Sequence, residues 1–116
     1  MKSFVRVMKA LSDPNRVRAL KLLEKKALCV CEIQEVLGLA QPTVSSHMKI
    51  LEDAGLVNKE RQGTWMIYSR AEGSESVYAR ALLTTLKDWL NDDAELRRMM
   101  KALSEPTCQR LYTLKK

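Results

Sequence analysis

Residues 40–57 read AQPTVSSHMKILEDAGLV, and this stretch carries the clearest structural signal in the chain. Val44, Met48 and Leu51 recur at helical spacing, and Gly55 then ends the pattern. The opposite side of this helix carries small polar and cationic side chains. These two sides predict a helix that packs on a core with one face and presents the other to a partner.

Flanking residues extend this helix into a helix-turn-helix followed by a hairpin. Before it, residues 29–38 predict a short helix, in which Gly38 suits the left-handed residue at the C-terminal end. After it, residues 56–69 change to a two-residue period around Gly63, which is typical of a β-hairpin. We therefore predict a mainly α chain with a small β-hairpin, a winged helix-turn-helix.

The rest of the chain supplies further helices around the same core. Ser12-Asp13-Pro14 provides a capping residue and then proline, so one helix ends and another begins there. A later stripe from Tyr78 to Trp89 predicts another helix, and a last helical stretch precedes Pro106. We expect a single domain over 1–116, with the helix-turn-helix at about 30–54, the wing at about 56–69, a C-terminal helix at about 75–91 and a tail at 92–116.

Composition fits a small protein that binds a polyanion. Twenty Lys and Arg against fourteen Asp and Glu give a formal charge of +6, and 46% of the residues are apolar. A basic surface attracts nucleic acid, although charge alone is weak support. The sequence shows neither a signal peptide nor a membrane span, so we expect a cytoplasmic protein. An enzyme is disfavoured, because the single histidine, His47, has no nucleophile or base to act with.

The exposed side of the central helix and the hairpin predict a DNA-binding surface. Short hydroxyl side chains permit close approach to base edges, while amides and cations reach bases and phosphates. A solvated helix face explains each polar residue singly but not their occurrence together beside a basic hairpin, to which Arg70 also belongs. We expect Gln41 at the helix cap, where its amide would face DNA. The predicted DNA-binding residues are Gln41, Pro42, Thr43, Ser45, Ser46, His47, Lys49, Lys59, Arg61 and Gln62.

Two strings in the chain resemble the ArsR/SmtB family of metal-sensing repressors. They are the stretch 40–57 and the segment LSDPNR at 11–16. The resemblance implies a homodimer built mainly on the first and fifth helices, a DNA operator with two-fold symmetry, and release from DNA when an inducer binds. The segment LCVCE at 28–32 resembles the Cys-Val-Cys box of the arsenic- and antimony-responsive members. Those members commonly carry a further cysteine where this chain has Gln34, and the family's zinc sensors use histidines on the fifth helix, which this chain lacks there.

Cys29 and Cys31 stand at the start of a helix, where Cys29 and Glu32 form a capping box in which cysteine replaces serine. The positive helix end should lower the thiol pKa. Residues two apart in a helix point about 200° from each other. Joint ligation by both thiols should therefore distort the first turn. The alternative is that both are buried small hydrophobes.

The cysteines indicate the inducer. Thiolates select soft ions, and arsenite or antimonite, which favours three sulfur ligands, would use Cys29, Cys31 and the one remaining cysteine, Cys108. We thus expect a DNA-binding transcriptional repressor released by trivalent arsenic or antimony. A thiol-redox or persulfide-responsive repressor of the same fold is the alternative, and a DNA binder that senses nothing is a further one.

Overall fold

The computed structural model describes residues 1–103, in which helices surround one small sheet. The elements are α1 (Lys2–Ala10), α2 (Pro14–Leu22), β1 (Leu28–Cys29), α3 (Val30–Leu37), α4 (Gln41–Asp53), β2 (Val57–Gln62), β3 (Trp65–Arg70), α5 (Val77–Leu86) and α6 (Ala94–Ala102). The predicted winged helix-turn-helix is confirmed, with α3 and α4 as its two helices and β2 and β3 as the wing. Within residues 1–103, no helix is both long and apolar enough to cross a membrane.

Local sequence signals set several of these boundaries. The Asp13 carboxylate accepts hydrogen bonds from the backbone N–H groups of Asn15 (2.7 Å) and Arg16 (3.3 Å), and Pro14 opens α2, as predicted. At the end of α3, Gly38 has φ of +69°, a left-handed conformation that glycine adopts without steric cost. These two ends fix the turns on either side of the α2–α3 unit.

The sheet has a strand that the sequence did not predict. The strand order is β1-β3-β2, with both pairs antiparallel. Leu28 pairs with Tyr68 and Cys29 with Ile67, so the short segment before α3 joins the wing. A two-residue strand is too short to show a period, and its partner lies far along the chain.

The core lies between α2, α4 and the sheet, and every helix contributes to it. Val44, Met48 and Leu51 of α4 are fully buried, as their spacing predicted. Other fully buried large side chains include Val7, Leu22, Leu28, Ile33 and Leu56. Because α4 is held by its apolar side, its opposite face is fixed in orientation toward the surface.

The C-terminal helices differ from their predicted extent. The helix expected at about 75–91 spans Val77–Leu86, and Trp89 lies beyond it with 53% of its surface exposed. Leu90 then takes φ of +64°, which turns the chain into α6. Helix α6 packs against α2 and α3, where Met99 and Leu103 join the core. The start of the predicted tail is therefore part of the folded unit.

Candidate nucleic-acid interface and cysteine site

The outward face of α4 carries the side chains that the helical periodicity predicted for it. Its exposed residues are Gln41, Pro42, Thr43, Ser45, Ser46, Lys49, Ile50 and Asp53. Apart from Ile50, Asp53 and Lys49, these side chains are short or uncharged. The surface is therefore smooth enough for close approach and polar enough to hydrogen-bond, which is what contact with base edges requires.

The first turn of α4 differs from the prediction by one position. Ala40, not Gln41, is the N-cap residue, and Pro42 is the second helical residue. Alanine has no side-chain acceptor, so no side chain caps the helix. Gln41 is thereby free of a capping role, and the N–H groups of the first turn face outward with the positive end of the helix dipole.

His47 is held by an arginine from α2. The Arg16 guanidinium lies 3.2 Å from His47 Nδ1 and also donates to the backbone carbonyls of Ala10 (2.7 Å) and Lys9 (3.2 Å). A guanidinium only donates, so Nδ1 accepts and the neutral imidazole carries its proton on Nε2. Arg16 therefore ties the end of α1 to one flank of α4, and His47 Nε2–H remains the ring's donor.

Both predicted DNA-contacting lysines pair with carboxylates of α4. Lys49 Nζ lies 3.2 Å from Asp53, and Lys59 Nζ lies 3.6 Å from Glu52. The hydrogen bond with Asp53 raises the pKa of Lys49. Solvent screens exposed ion pairs and leaves them weak, so either lysine can exchange its carboxylate for a phosphate at little cost.

The wing presents its predicted polar residues but not all of its cations. Lys59, Arg61 and Gln62 are exposed along β2, beside the turn at Gly63. Arg70, predicted as a wing cation, is only 7% exposed. Its guanidinium pairs with Glu24 (3.5 Å) and Glu72 (3.2 Å) and donates to the carbonyl of Leu83. Arg70 therefore ties the base of the wing to the turn after α2 and to α5, which is a structural role.

The two cysteines of the Cys-Val-Cys box meet without any change in α3. Their Sγ atoms lie 2.8 Å apart. The prediction that the first helical turn must distort is wrong, because Cys29 is the N-cap residue with extended backbone (φ −81°, ψ 164°) and stands outside the helix. The angle between side chains two apart in a helix does not apply to this pair.

Burial changes the chemistry of Cys29. Its side chain is fully buried, and this burial is the main cause that raises the pKa of the Cys29 thiol. The negative charge of the nearby Glu32 carboxylate raises it further. The predicted lowering of its pKa is therefore wrong. Glu32, itself 2% exposed, accepts a hydrogen bond from the Cys29 backbone N–H at 3.1 Å and completes its half of the predicted capping box.

The pairing of Cys29 with Ile67 is the feature of the candidate cysteine site that the sequence analysis missed. It places one sulfur of the pair on the strand next to the wing. The only hint in the sequence is the apolar run from Leu28 to Val30, which is compatible with a strand.

A third donor for a soft ion is not evident in the described residues. Within 1–103, no group of three or more His, Cys, Asp or Glu side chains is placed to hold a metal ion. A shallow cavity is lined by Cys31, Gln34, Glu35, Gly38 and Leu39, so Gln34 faces the same space as Cys31. Cys108 lies outside the described residues.

An apolar patch on α1 and α5 remains uncovered. The rings of Phe4 and Tyr78 meet edge to face with centroids 5.3 Å apart, and both are 41% exposed. Val5, Met8 and Val77 are also exposed, at 38%, 36% and 55%. A cluster of large apolar side chains at the surface is typical of a protein interface.

Known proteins resemble this chain in both sequence and structure. A profile described as bacterial regulatory protein, ArsR family, matches residues 13–59. The arsenic resistance transcriptional regulator ArsR1 of Pseudomonas putida is 36% identical over 93 residues, which cover 76% of this chain and 72% of that protein. The HTH-type transcriptional repressor SmtB of Mycobacterium tuberculosis is 38% identical over 66 residues, or 57% of this chain and 49% of that protein.

A solved structure shares the architecture. The homodimeric winged helix-turn-helix DNA-binding domain Mb0332 of Mycobacterium bovis, described as a possible ArsR-family transcriptional regulator, superposes with a TM-score of 0.64 and 28% sequence identity. The match covers 74% of this chain and 76% of that one. The similarity therefore extends beyond the helix-turn-helix itself.

Proposed function

Since this chain belongs to the ArsR family of bacterial regulatory proteins, we propose that trivalent arsenic or antimony releases it from operator DNA by binding its cysteine thiols. Transcriptional repression through a DNA-binding winged helix is common to the family and to this chain. The observation that carries the choice of inducer is the 2.8 Å separation of Cys29 Sγ and Cys31 Sγ. A small rotation of either side chain lets both sulfurs contact one soft ion.

The binding step needs no co-reactant. Arsenite is As(OH)₃ at neutral pH, and each thiol that attacks arsenic forms an As–S bond while one hydroxide leaves with the thiol proton as water. Two thiols therefore give (RS)₂AsOH and two waters, and a third thiol replaces the last hydroxide. Arsenic stays trivalent throughout. The thiolate is the attacking species, so the raised pKa of Cys29 slows this step without changing its proton balance.

Cys108 is the third ligand in this proposal. Leu103 is buried on the core, and Cys108 follows it by five residues. Five residues span at most about 17 Å. Since α6 packs against α3, whose first turn contains Cys31, this reach supports ligation within one protomer. Water or a small cellular thiol is the competing third donor.

The sheet and the helix-turn-helix supply two routes from the ion to the DNA-binding surface. Cys29 pairs with β3 of the wing, while Cys31 belongs to α3, which packs against α4. In this proposal, any backbone shift that ion binding causes at Cys29 or Cys31 acts on one of these two connections. Release follows if the ion-bound arrangement binds DNA less tightly than the ion-free one.

DNA recognition is assigned to α4 and the wing. Gln41, Thr43 and Ser46 are placed to reach base edges. Pro42 is assigned a packing contact with the DNA. Phosphate contacts are assigned to the other predicted residues, which are Ser45, His47, Lys49, Lys59, Arg61 and Gln62. The exposed patch around Phe4 and Tyr78 supports a homodimer through α1 and α5, so two α4 helices would read an operator with two-fold symmetry.

Titration of a protein–DNA complex tests the inducer. Purified, fully reduced protein is bound to labelled DNA from upstream of its own gene, and arsenite, antimonite, Cd²⁺ or Zn²⁺ is added while fluorescence anisotropy is followed. We expect release at the lowest concentrations with antimonite and arsenite. Release by Zn²⁺ alone, or by none of the four, would contradict the proposed inducer.

X-ray absorption at the arsenic edge tests the third ligand. In buffer free of small thiols, the wild type should show three sulfurs around arsenic and Cys108→Ser two. Three sulfurs in both proteins would exclude Cys108, and two in both would mean a site completed by oxygen.

The same sulfur separation favours one second function, a thiol-redox response. A peroxide could oxidise two thiols to a disulfide, releasing two protons and passing two electrons to the peroxide, which is reduced to water or an alcohol. This function requires DNA release by peroxide in the absence of metalloid, reversed by dithiothreitol, with a mass decrease of two hydrogens per disulfide. Release by arsenite under strictly reducing conditions separates the two functions.

A further inference from the structure

We propose that the basic face of α1 binds the DNA phosphate backbone on the side of α4 opposite to the wing. This inference rests on the proposed DNA binding and adds a second phosphate-binding surface to it. It concerns Lys2, Arg6 and Lys9, which neither the helix-turn-helix nor the wing includes.

The three cations form one stripe. Positions 2, 6 and 9 have the spacing i, i+4, i+7 and so lie on one side of α1. All three side chains are exposed, and in the described part of the chain none of them forms an ion pair. This stripe is therefore an uncompensated band of positive charge, distinct from the apolar side of α1 that carries Phe4 and Met8.

The stripe borders the recognition helix directly. Lys2, Arg6 and Lys9 line a groove between α1 and α4 whose apolar residues include Val5 and Ile50. The one carboxylate in the groove, Asp53, already pairs with Lys49 at 3.2 Å. A positively charged groove next to a DNA-reading helix fits a phosphate chain better than any neutral partner.

The two flanks of α4 are occupied by two different basic elements. On one flank, Glu52 pairs with Lys59 of the wing at 3.6 Å. On the other, His47 contacts Arg16, whose guanidinium also holds the carbonyls of Ala10 and Lys9. A helix in the major groove has a phosphate strand on each side, about 12 Å apart. The wing is thus placed toward one strand and α1 toward the other.

Salt dependence of DNA binding tests the proposal. The double variant Arg6→Gln/Lys9→Gln is compared with Lys25→Gln/Lys87→Gln, which removes the same charge from exposed lysines outside the groove. The slope of log Kobs against log salt concentration should fall by about 0.9 per lost phosphate contact, so by about 1.8 for the groove variant. Specific and random DNA should lose affinity equally, because phosphates carry no sequence information.

The outcomes separate this inference from the proposed function. Wild-type protein that binds no DNA overturns both. Wild-type binding with the same slope in the groove and control variants overturns only the role of α1. Sedimentation of each variant is measured in parallel, and a groove variant that loses affinity by dissociating into monomers would assign the groove to the dimer interface and overturn the phosphate proposal. Circular dichroism melting confirms that both variants fold.

Discussion

The starts of α3 and α4 lie eleven residues apart in sequence and have opposite surroundings. The α3 start is enclosed, with Cys29 fully buried, paired to a strand and hydrogen-bonded by Glu32. The α4 start is open, with Ala40 as an N-cap that offers no side-chain acceptor and Gln41 exposed. The start of α3 is satisfied by contacts within the fold, whereas the start of α4 is open to contacts with another molecule.

This difference matches the two kinds of ligand that the proposals assign. A small ion held by covalent bonds to sulfur needs few contacts and gains from a site shielded from water. A DNA duplex needs an extended exposed surface. The contrast therefore predicts that substitutions at the α3 start change the response to the inducer, whereas substitutions at the α4 start change DNA affinity.

The largest expected effect is loss of the response in Cys31→Ser. Serine is a poor ligand for trivalent arsenic, so the arsenite concentration for half-release should rise by more than about 100-fold, beyond the 10–100-fold that loss of outer-shell partners costs metal sites. DNA affinity without arsenite should stay unchanged. Gln34→Ser, one turn further along α3, is the matched control and should respond as wild type. A Cys31→Ser protein that lost DNA affinity by itself would show the cysteine to be a packing residue.

The converse substitutions are Gln41→Ala and Ser46→Ala on α4. Each removes a proposed base contact worth about 1–3 kcal/mol, so operator affinity should fall roughly ten- to hundredfold while affinity for random DNA is retained. Competition titrations with operator and random duplexes measure both. Thr84→Ala, an exposed polar residue of α5, serves as control. Equal losses on the two DNAs would mean that α4 does not read bases through these side chains.

A pH series examines the enclosed site by kinetics. The pKa of Cys29 is raised by burial, so the thiol is mostly protonated at neutral pH and its thiolate fraction grows as pH rises. If Cys29 is the attacking thiol, the rate of arsenite-induced release should increase by about tenfold per pH unit below that pKa. Stopped-flow anisotropy measures it, with salt-induced release as the pH control. A flat rate would place the first attack on another cysteine.

The smallest expected effect concerns the cap of α3. In Cys29→Ser the hydroxyl can accept from the N–H of Glu32, whereas Cys29→Ala leaves that group unpaired. The serine variant should be more stable than the alanine variant by about 0.5–2 kcal/mol, measured by urea denaturation. Equal stabilities would mean that position 29 contributes no cap, despite its N-cap backbone geometry.

Sequence periodicity predicted most of the fold because its signals are local. The buried side of α4, the Asp13 cap and the Gly38 turn each depend on residues within a few positions, and all three are confirmed. The exposed polar face of α4 follows from the same period.

Features that depend on residues distant in sequence were not predictable in this way. The sequence predicts Arg70 as an exposed cation of the wing, because its ion pairs with Glu24 and Glu72 become evident only in the folded chain. The raised pKa of Cys29 follows from its burial on a strand whose pairing partner, Ile67, lies 38 residues later. Trp89 continues the spacing of α5, but the helix ends at Leu86 and the chain turns into α6.

The β1 strand has a consequence for building new regulators by exchanging parts. A hairpin transplanted from a relative to alter DNA preference would bring a new β3, and β3 is also the strand against which Cys29 lies. Under the proposed function, such a chimera would inherit a changed inducer threshold along with its new operator. A mutation that alters one of these two properties would then shift the other.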